Sequence, residues 1–425
     1  MAKPRLISLF SGGGGLDYGF EAAGFETGAC VEMDHDSCET LRVSRKKWNV
    51  IERSIFDVPT AEMLEAAGTR AGELDLVIGG PPCQPFSKSG YWVRGDSARL
   101  NDPRAKTLEA YLRVIEEAKP RAFLLENVQG IGFKGKGEGL DFLEQGIVAI
   151  NKRTKSNYVL HAFAVDAADY GVPQHRERLI IVASREGQKF QKPTPTHGNV
   201  TQLGLYGTGE PELAPLHTVW DALHDLPDDE QPHDLSMRGL YADLLPSIPE
   251  GQNYLWHTSR GVERARANDL KPGKALFGWR RHFWTFLLKL AKDRPSWTLQ
   301  AQPGPAAGPF HWENRRLSAR ELCRIQTMPD NVFVQGSLGS VQRQVGNAVP
   351  SLLGEVLGRA IREQLFGQKP RGELKRLPKR APSTPRAERV AAVPEKYLHR
   401  EGCDTAHPGT GRGRGAEKRD AQVSA

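Results

Sequence analysis

Over its first 184 residues the chain alternates short apolar runs with amphipathic ones, and few folds accept that pattern. RLISLF, ETGACVEM, LDLVIGG, RAFLLENV, VLHAFAV and RLIIVAS have the length and composition of strands. Between them, LDYGFEAAG, SCETLRVSRKK, TAEMLEAAG and TLEAYLRVIEEAKP have helical spacing. Strands separated by helices imply an α/β fold built on a doubly wound, mostly parallel sheet. In such sheets ligands bind beyond the carboxyl ends of the strands.

After Ser184 the pattern dissolves into segments rich in Pro, Gly, Trp and His. Residues 185–336 are therefore expected to form a second, smaller, irregular domain. It ends near a helical run, SARELCRIQTMP. QVGNAVP and SLLGEVLGRAIREQLF follow, and 337–366 should complete the first domain, 1–184. From 367 to 425 the chain is basic and of low complexity, which predicts a disordered tail. That tail holds 14 Lys and Arg against 7 Asp and Glu, while the first 366 residues hold 44 of each. The pI near 9.1 is thus a property of the tail, and any nucleic-acid surface in the body must be a local asymmetry. Five cysteines without paired spacing argue against a disulfide framework or a zinc site, so no metal is expected. The apolar run of MAKPRLISLF is too short for a signal peptide, and no run reaches the length of a membrane span. A soluble protein of a reducing compartment is expected.

Several segments at the expected strand ends carry unusual chemistry. LDLVIGGPPCQPFS sets Cys83 among Pro81, Pro82 and Pro85, in a turn with little backbone freedom. A thiol held so stiffly is either a small apolar filler or a nucleophile fixed in space. FSGGGGLDYGF places glycines where a ligand could approach the backbone at a helix N-terminus. It lacks the dinucleotide fingerprint, because the third glycine would fall at Asp17. Glu32, twenty positions past Gly12, could accept both hydroxyls of a ribose. A nucleoside ligand without a pyrophosphate fits, and S-adenosylmethionine is one. Asp57, in SIFDV, could take an adenine amino group or simply cap a surface helix. Glu126, in LLENV, should sit partly buried beside Cys83, where a desolvated carboxyl can stay protonated and donate. In YGVPQHRERLIIV, Gln174, Arg176 and Arg178 alternate, which puts all three on one face of a strand.

In this order, FSGGGGLD, VEMD, FDV, GGPPCQPFS, ENV, QHRER, RRLSARELCRIQTMP and QVGNAVP resemble the cytosine-5 DNA methyltransferases across nearly all of residues 4–366. The departures are Ser8, where many relatives carry an acid, and four consecutive glycines in place of an interrupted set. The resemblance implies a Rossmann-like, S-adenosylmethionine-dependent fold and covalent catalysis by Cys83 at C6 of a flipped-out cytosine. It implies that Glu126 binds N3 and the exocyclic amine, that Arg178 holds O2, and that Arg176 and Gln174 brace the site. Phe10, Gly12, Gly14, Glu32, Met33, Asp57, Val58 and Asn347 should line the cofactor pocket. Ser87 and Thr298 are expected near the DNA. Double-stranded DNA, a possible companion restriction endonuclease and a cytoplasmic, prokaryotic or phage setting follow from the same resemblance, with a monomer expected. A tRNA-methylating branch of the family is the rival, though its loop after the cysteine usually differs from PCQPFS.

The segment expected to read DNA divides by charge. Residues 201–250 hold ten acids and one base, whereas 251–300 hold ten bases and three acids. The basic half interleaves Trp256, Phe277, Trp279, Phe283, Trp284 and Trp297, so Arg280 and Arg281 are the candidate groove contacts. At least half of these aromatics are expected to be core.

Overall fold

A computed structural model describes residues 3–82, 106–128, 138–198, 213–226, 233–279 and 283–402. They fall into two compact units: the first comprises 1–233, 294–302 and 318–382, and the second 234–293, 303–317 and 383–425. These bounds differ from those expected: 185–233, 294–302, 318–336 and 367–382 fall in the first unit, and 383–425 in the second.

The first unit is α/β. Its sheet contains β1 (Arg5–Leu9), β2 (Glu26–Glu32), β3 (Asn49–Glu52), β4 (Leu76–Gly79), β5 (Ala122–Asn127), β6 (His161–Asp166) and β7 (Glu177–Ser184), in the order β3-β2-β1-β4-β5-β7-β6. Strands β1 to β5 pair in parallel, while β7 runs antiparallel to both β5 and β6. Reversal of β7 brings its first residues to the carboxyl end of β5, with Asn127 opposite Leu179 and Glu126 opposite Ile180. The QHRER segment therefore opens onto the same sheet edge as the ends of β1, β2 and β4.

Helices cover both faces, as near-continuous apolar strands require. On one face α3 (Thr60–Ala66), α4 (Lys106–Ala118) and α5 (Glu138–Thr154) bury Met63, Tyr111, Ile115 and Ile147 against Ile7, Val77 and Leu125. On the other, α1 (Gly15–Ala22) and α10 (Ser351–Gln364) bury Phe20, Leu353 and Leu357 against Leu6, Ile78 and Leu124. Helix α10 comes so close to α1 that a Cβ on Gly19 would lie 2.3 Å from the Ser351 carbonyl. The Ser351 hydroxyl donates to the Gly15 carbonyl at 2.8 Å. Thus the last long helix holds the helix that follows the glycine turn. The remaining helices of this unit are α2 (His35–Ser44), α6 (Val219–Leu223), α8 (Ala319–Ile325) and α9 (Leu338–Asn347).

The second unit has one α-helix among its described residues, α7 (Ser259–Ala267), and short 3-10 turns. Its core is aromatic: Tyr241, Tyr254, Phe277, Phe286, Phe310 and Tyr397, with several edge-to-face ring contacts. Of the six aromatics read from the basic half, Trp256 and Phe277 are buried in this unit and Phe283 packs against its core. Trp279, Trp284 and Trp297 are exposed.

Residues 367–402 correct the expectation of a disordered tail. In the first unit, the buried carboxylate of Glu355 accepts the backbone N–H groups of Lys375 and Arg376, and Arg380 pairs with Asp221 at 3.0 Å. In the second, Lys292 bridges Glu250 and Glu388, the Ala391 N–H donates to Pro246, and the Tyr397 hydroxyl reaches Leu240 and Asp243. The segment has no apolar period because it is anchored by single N–H groups and isolated side chains. Residues 403–425 lie outside the described residues. No helix among the described residues is long and apolar enough to cross a membrane.

Candidate active site

The first strand ends in a turn whose backbone is unusual. Phe10, Gly12 and Gly14 have φ of 56°, 54° and 82°. For Phe10 the left-handed region costs about 1 kcal/mol. The two glycines serve different purposes. A Cβ on Gly14 would come within 2.7 Å of Leu41, so this glycine is required by packing. A Cβ on Gly12 would meet nothing within 4 Å, so its backbone faces open space that a ligand could enter.

Across this turn stands Glu32, at the end of β2. One carboxylate oxygen accepts the Gly12 N–H at 2.8 Å, and the other accepts those of Met33 and Asp34, each at 2.9 Å. Three backbone amides thus orient the group. Asp34 caps α2 through the Ser37 N–H and pairs with Arg343 of α9 at 2.5 Å. Asn347 ends α9 and is exposed. Met33 is 71% exposed, an unusual state for a thioether, and Phe56 is exposed after β3. Phe56 was missed by sequence reasoning, although an aromatic beside Asp57 at a strand end was the available signal. Asp57 is itself exposed. Val58 departs from its expected place as a pocket wall: its side chain is fully buried in the core, and its carbonyl accepts from Arg113.

At the ends of β4 and β5 the backbone is drawn tight. A Cβ on Gly80 would lie 2.8 Å from a Glu126 carboxylate oxygen, so only glycine lets the strand pass this carboxylate unshifted. The Asn127 amide donates to the Pro81 carbonyl at 3.3 Å, which pins the chain two residues before Cys83. Cys83 and Ser87 lie outside the described residues, as do Arg280 and Arg281. Glu126 is 9% exposed and its carboxylate lies 2.6 Å from the Arg178 guanidinium. The antiparallel course of β7 makes this ion pair possible.

Gln174 and Arg176 do not share that setting. Strand β7 begins only at Glu177, and both residues turn into the protein. Arg176 is 1% exposed; it donates to the carbonyls of Leu299 and Gly346 at 3.3 and 2.8 Å, and its Nε has no hydrogen-bond partner. Burial pushes its pKa well below the usual guanidinium value, with the nearby Arg178 adding to the effect. Gln174 accepts the Leu299 N–H and donates to Gln326. The Thr298 hydroxyl donates to the His175 carbonyl at 2.7 Å. Three residues expected on one face therefore divide, with Arg178 at the Glu126 carboxylate and the other two lacing 294–302 onto the sheet. In the second unit, the Arg260 guanidinium lies 4.6 Å from the centre of the exposed Trp279 ring, a pair that sequence reasoning did not single out.

Comparison with known proteins agrees with this architecture. The chain is 40% identical over 382 residues to the Type II methyltransferase M.SacI of Streptomyces achromogenes, covering 85% of this chain and 93% of that protein. It is 32% identical over 366 residues to the Type II methyltransferase M.PspPI of a Psychrobacter species, covering 84% and 78%. Among solved structures, the Entamoeba histolytica methyltransferase EhMeth shares the fold, with a TM-score of 0.53 and 17% identity over 86% of this chain and 99% of that one. Residues 4–363 match the C-5 cytosine-specific DNA methylase family, and the chain belongs to that family as a DNA cytosine-5 methyltransferase.

Proposed function

We propose that this enzyme transfers the methyl group of S-adenosylmethionine to C5 of a cytosine flipped out of a short duplex DNA sequence, through a covalent bond between Cys83 and C6. The observation that carries this reading is the Glu126–Arg178 pair at the root of the PCQ loop, held against Gly80. Cytosine C5 is a weak nucleophile until the ring's aromaticity is broken. Addition of the Cys83 thiolate at C6 forms an S–C bond and moves an electron pair to C5, which can then attack an electrophilic methyl. Glu126 offers a carboxyl to N3 and the exocyclic amine, and Arg178 both orients it and offers N–H groups to O2. Arg176 and Gln174 brace the site at one remove, by holding 294–302 against the sheet. After methyl transfer the C5 proton leaves, the C5–C6 double bond re-forms and the thiolate departs. Because C6 is inaccessible in a stacked duplex, the base must leave the stack.

The donor site is read from the glycine turn. Open space at Gly12, the amide-oriented Glu32 and exposed Met33 and Phe56 suit a nucleoside with a flat, apolar base. We assign Phe10, Gly12, Gly14, Glu32, Met33, Asp57, Asn347 and the Val58 backbone to it. Bound S-adenosylmethionine supplies a methyl on a sulfonium, which is the electrophile the activated ring requires. The Type II names of the relatives favour a prokaryotic or phage enzyme acting beside a restriction endonuclease. Recognition is assigned to the basic, aromatic segment around Arg280 and Arg281, with Thr298 near the DNA. Bisulfite sequencing of DNA from cells expressing the wild type or Cys83→Ser tests the whole. Methylation should occur in one short sequence and vanish in the variant; methylation that survives Cys83→Ser, or is confined to RNA, would overturn it.

A further inference from the structure

Helix α4 carries an arginine that passes by the partners its own helix offers. Glu109 and Glu117 stand four residues before and after Arg113, the spacing at which opposite charges pair along a helix. Glu116, three residues on, is taken by Arg153. Arg113 forms no ion pair with any of the described residues. Its side chain is half-buried, and its Nε is buried without a hydrogen-bond partner. One terminal nitrogen, Nη2, donates to two backbone carbonyls, Ile55 at 2.8 Å and Val58 at 3.0 Å. A guanidinium partly withdrawn from water needs such acceptors, and here they are peptide groups of a distant loop.

Those two carbonyls lie between β3 and α3, and they bracket Phe56 and Asp57. Ile55 and Val58 are buried in the core beneath the sheet, whereas Phe56 is 50% exposed and Asp57 is exposed. The buried pair thus roots a two-residue crest. Strand β3 is an edge strand, paired with β2 alone among the described strands, so the loop leaving it has a strand on one side only. Among the described residues, the Phe56 and Asp57 N–H groups bond only locally, to the Ser54 hydroxyl at 3.4 Å and the Ser54 carbonyl at 2.9 Å. Burial of Ile55 and Val58 sets the depth of the crest, but apolar contact has no direction. The bonds from Arg113 do have direction, and they fix how the peptide planes on either side of the crest are turned.

We propose that Arg113 is a positioning residue for the cofactor, acting through the Ile55 and Val58 carbonyls to aim Phe56 and Asp57 at the adenine of S-adenosylmethionine. This deepens the assignment of Phe56 and Asp57 to the nucleoside and rests on it. Without the guanidinium, the two carbonyls are free to turn toward water. The crest then loses the orientation in which an aromatic face covers the base while a carboxylate accepts its amino group.

The ribose end of the ligand is held separately. Glu32 stands at the end of β2 and is oriented by the Gly12, Met33 and Asp34 amides, none of which belongs to this loop. Arg113 therefore acts on the base end alone, and the two ends can be told apart by experiment.

The test is a pair of double-mutant cycles, read by calorimetry with S-adenosylhomocysteine on the full-length protein. Arg113→Met keeps the apolar stem and removes the donors, and it should weaken binding by about tenfold. In a Phe56→Ala, Asp57→Ala background the same substitution should change affinity by less than about twofold, because the side chains it aims are gone. In a Glu32→Ala background it should again cost about tenfold, because the ribose contact is independent. In turnover with genomic DNA as methyl acceptor, Arg113→Met should raise the KM for S-adenosylmethionine about tenfold and leave kcat within about twofold, since the base is held equally before and during methyl transfer. Arg113→Gln, a good helix former that is shorter and uncharged, should give the same pattern and carries the test if the methionine variant does not fold. Unchanged affinity in the folded Arg113 variant, or a loss of the same size with and without Phe56 and Asp57, would overturn the role of Arg113 while leaving the cofactor site intact. Undiminished binding by the Phe56→Ala, Asp57→Ala protein, or no binding by the wild type, would instead overturn the assignment on which the proposal rests.

Discussion

The two units solve one problem, a charge buried in a protein interior, in different ways. In the first, Glu126 meets Arg178 on the neighbouring strand, and sheet geometry does the placing. In the second, Lys292 is 4% exposed and is held by Glu250 and by Glu388, which lies 96 residues further along the chain. It also lies 5.0 Å from the centre of the Trp312 ring. Regular structure places functional groups by periodicity, so neighbours in space can be read from strand ends. An irregular unit must gather its partners from wherever the chain returns, and removing one strand of chain costs it disproportionately.

The largest expected effect tests that dependence. Truncation after Pro382 removes Tyr397 from the aromatic core and Glu388 from Lys292. Loss of a buried aromatic alone costs about 3–5 kcal/mol. The second unit should lose its cooperative melt and become protease-sensitive, and sequence-selective methylation should fail with it. Truncation after Gly402, which keeps these contacts, should leave the melt unchanged. If both truncations melt like the full chain, the second unit is self-sufficient and the contrast between the units fails.

A smaller effect is expected at the sheet edge. Glu32→Ala should weaken S-adenosylmethionine binding by about 1–3 kcal/mol, the scale of charge-assisted hydrogen bonds lost from one carboxylate. The fold should persist, because the Gly12, Met33 and Asp34 amides it releases are exposed enough to be hydrated. Unchanged affinity by calorimetry would show that the ribose is held elsewhere.

The same contrast explains what could be read in advance. Strands β1, β2, β4 and β5 were legible because each is an apolar run that gives way within a few residues to Gly, Glu or Asn. Of the groups that follow or end them, Gly12, Glu32 and Glu126 were legible for that reason, whereas the need for Gly80 beside Glu126 emerged only from the structure. The direction of β7 was not, since a period of two has no sense of orientation, and that direction is what pairs Arg178 with Glu126. Nor could the sequence show that Gln174 and Arg176 turn inward to bind 294–302, because their partners are backbone groups more than 120 residues away. Helix α5 was not anticipated. In the tail, basic composition concealed contacts made by single residues such as Arg380 and Tyr397.

The central claim is that one thiol attacks the base, and it can be tested at that bond. Cys30, Cys38 and Cys323 are buried and free, which leaves Cys83 and Cys403 among the chain's five cysteines. Fluorine at C5 cannot leave as a proton does, so duplex DNA carrying 5-fluorocytosine at the methylated position should stop the reaction after methyl transfer. With S-adenosylmethionine present, a denaturation-resistant protein–DNA adduct should form, and peptide mapping should place it on Cys83. An adduct on any other residue, or none on a substrate whose cytosine counterpart is methylated, would contradict covalent catalysis by Cys83.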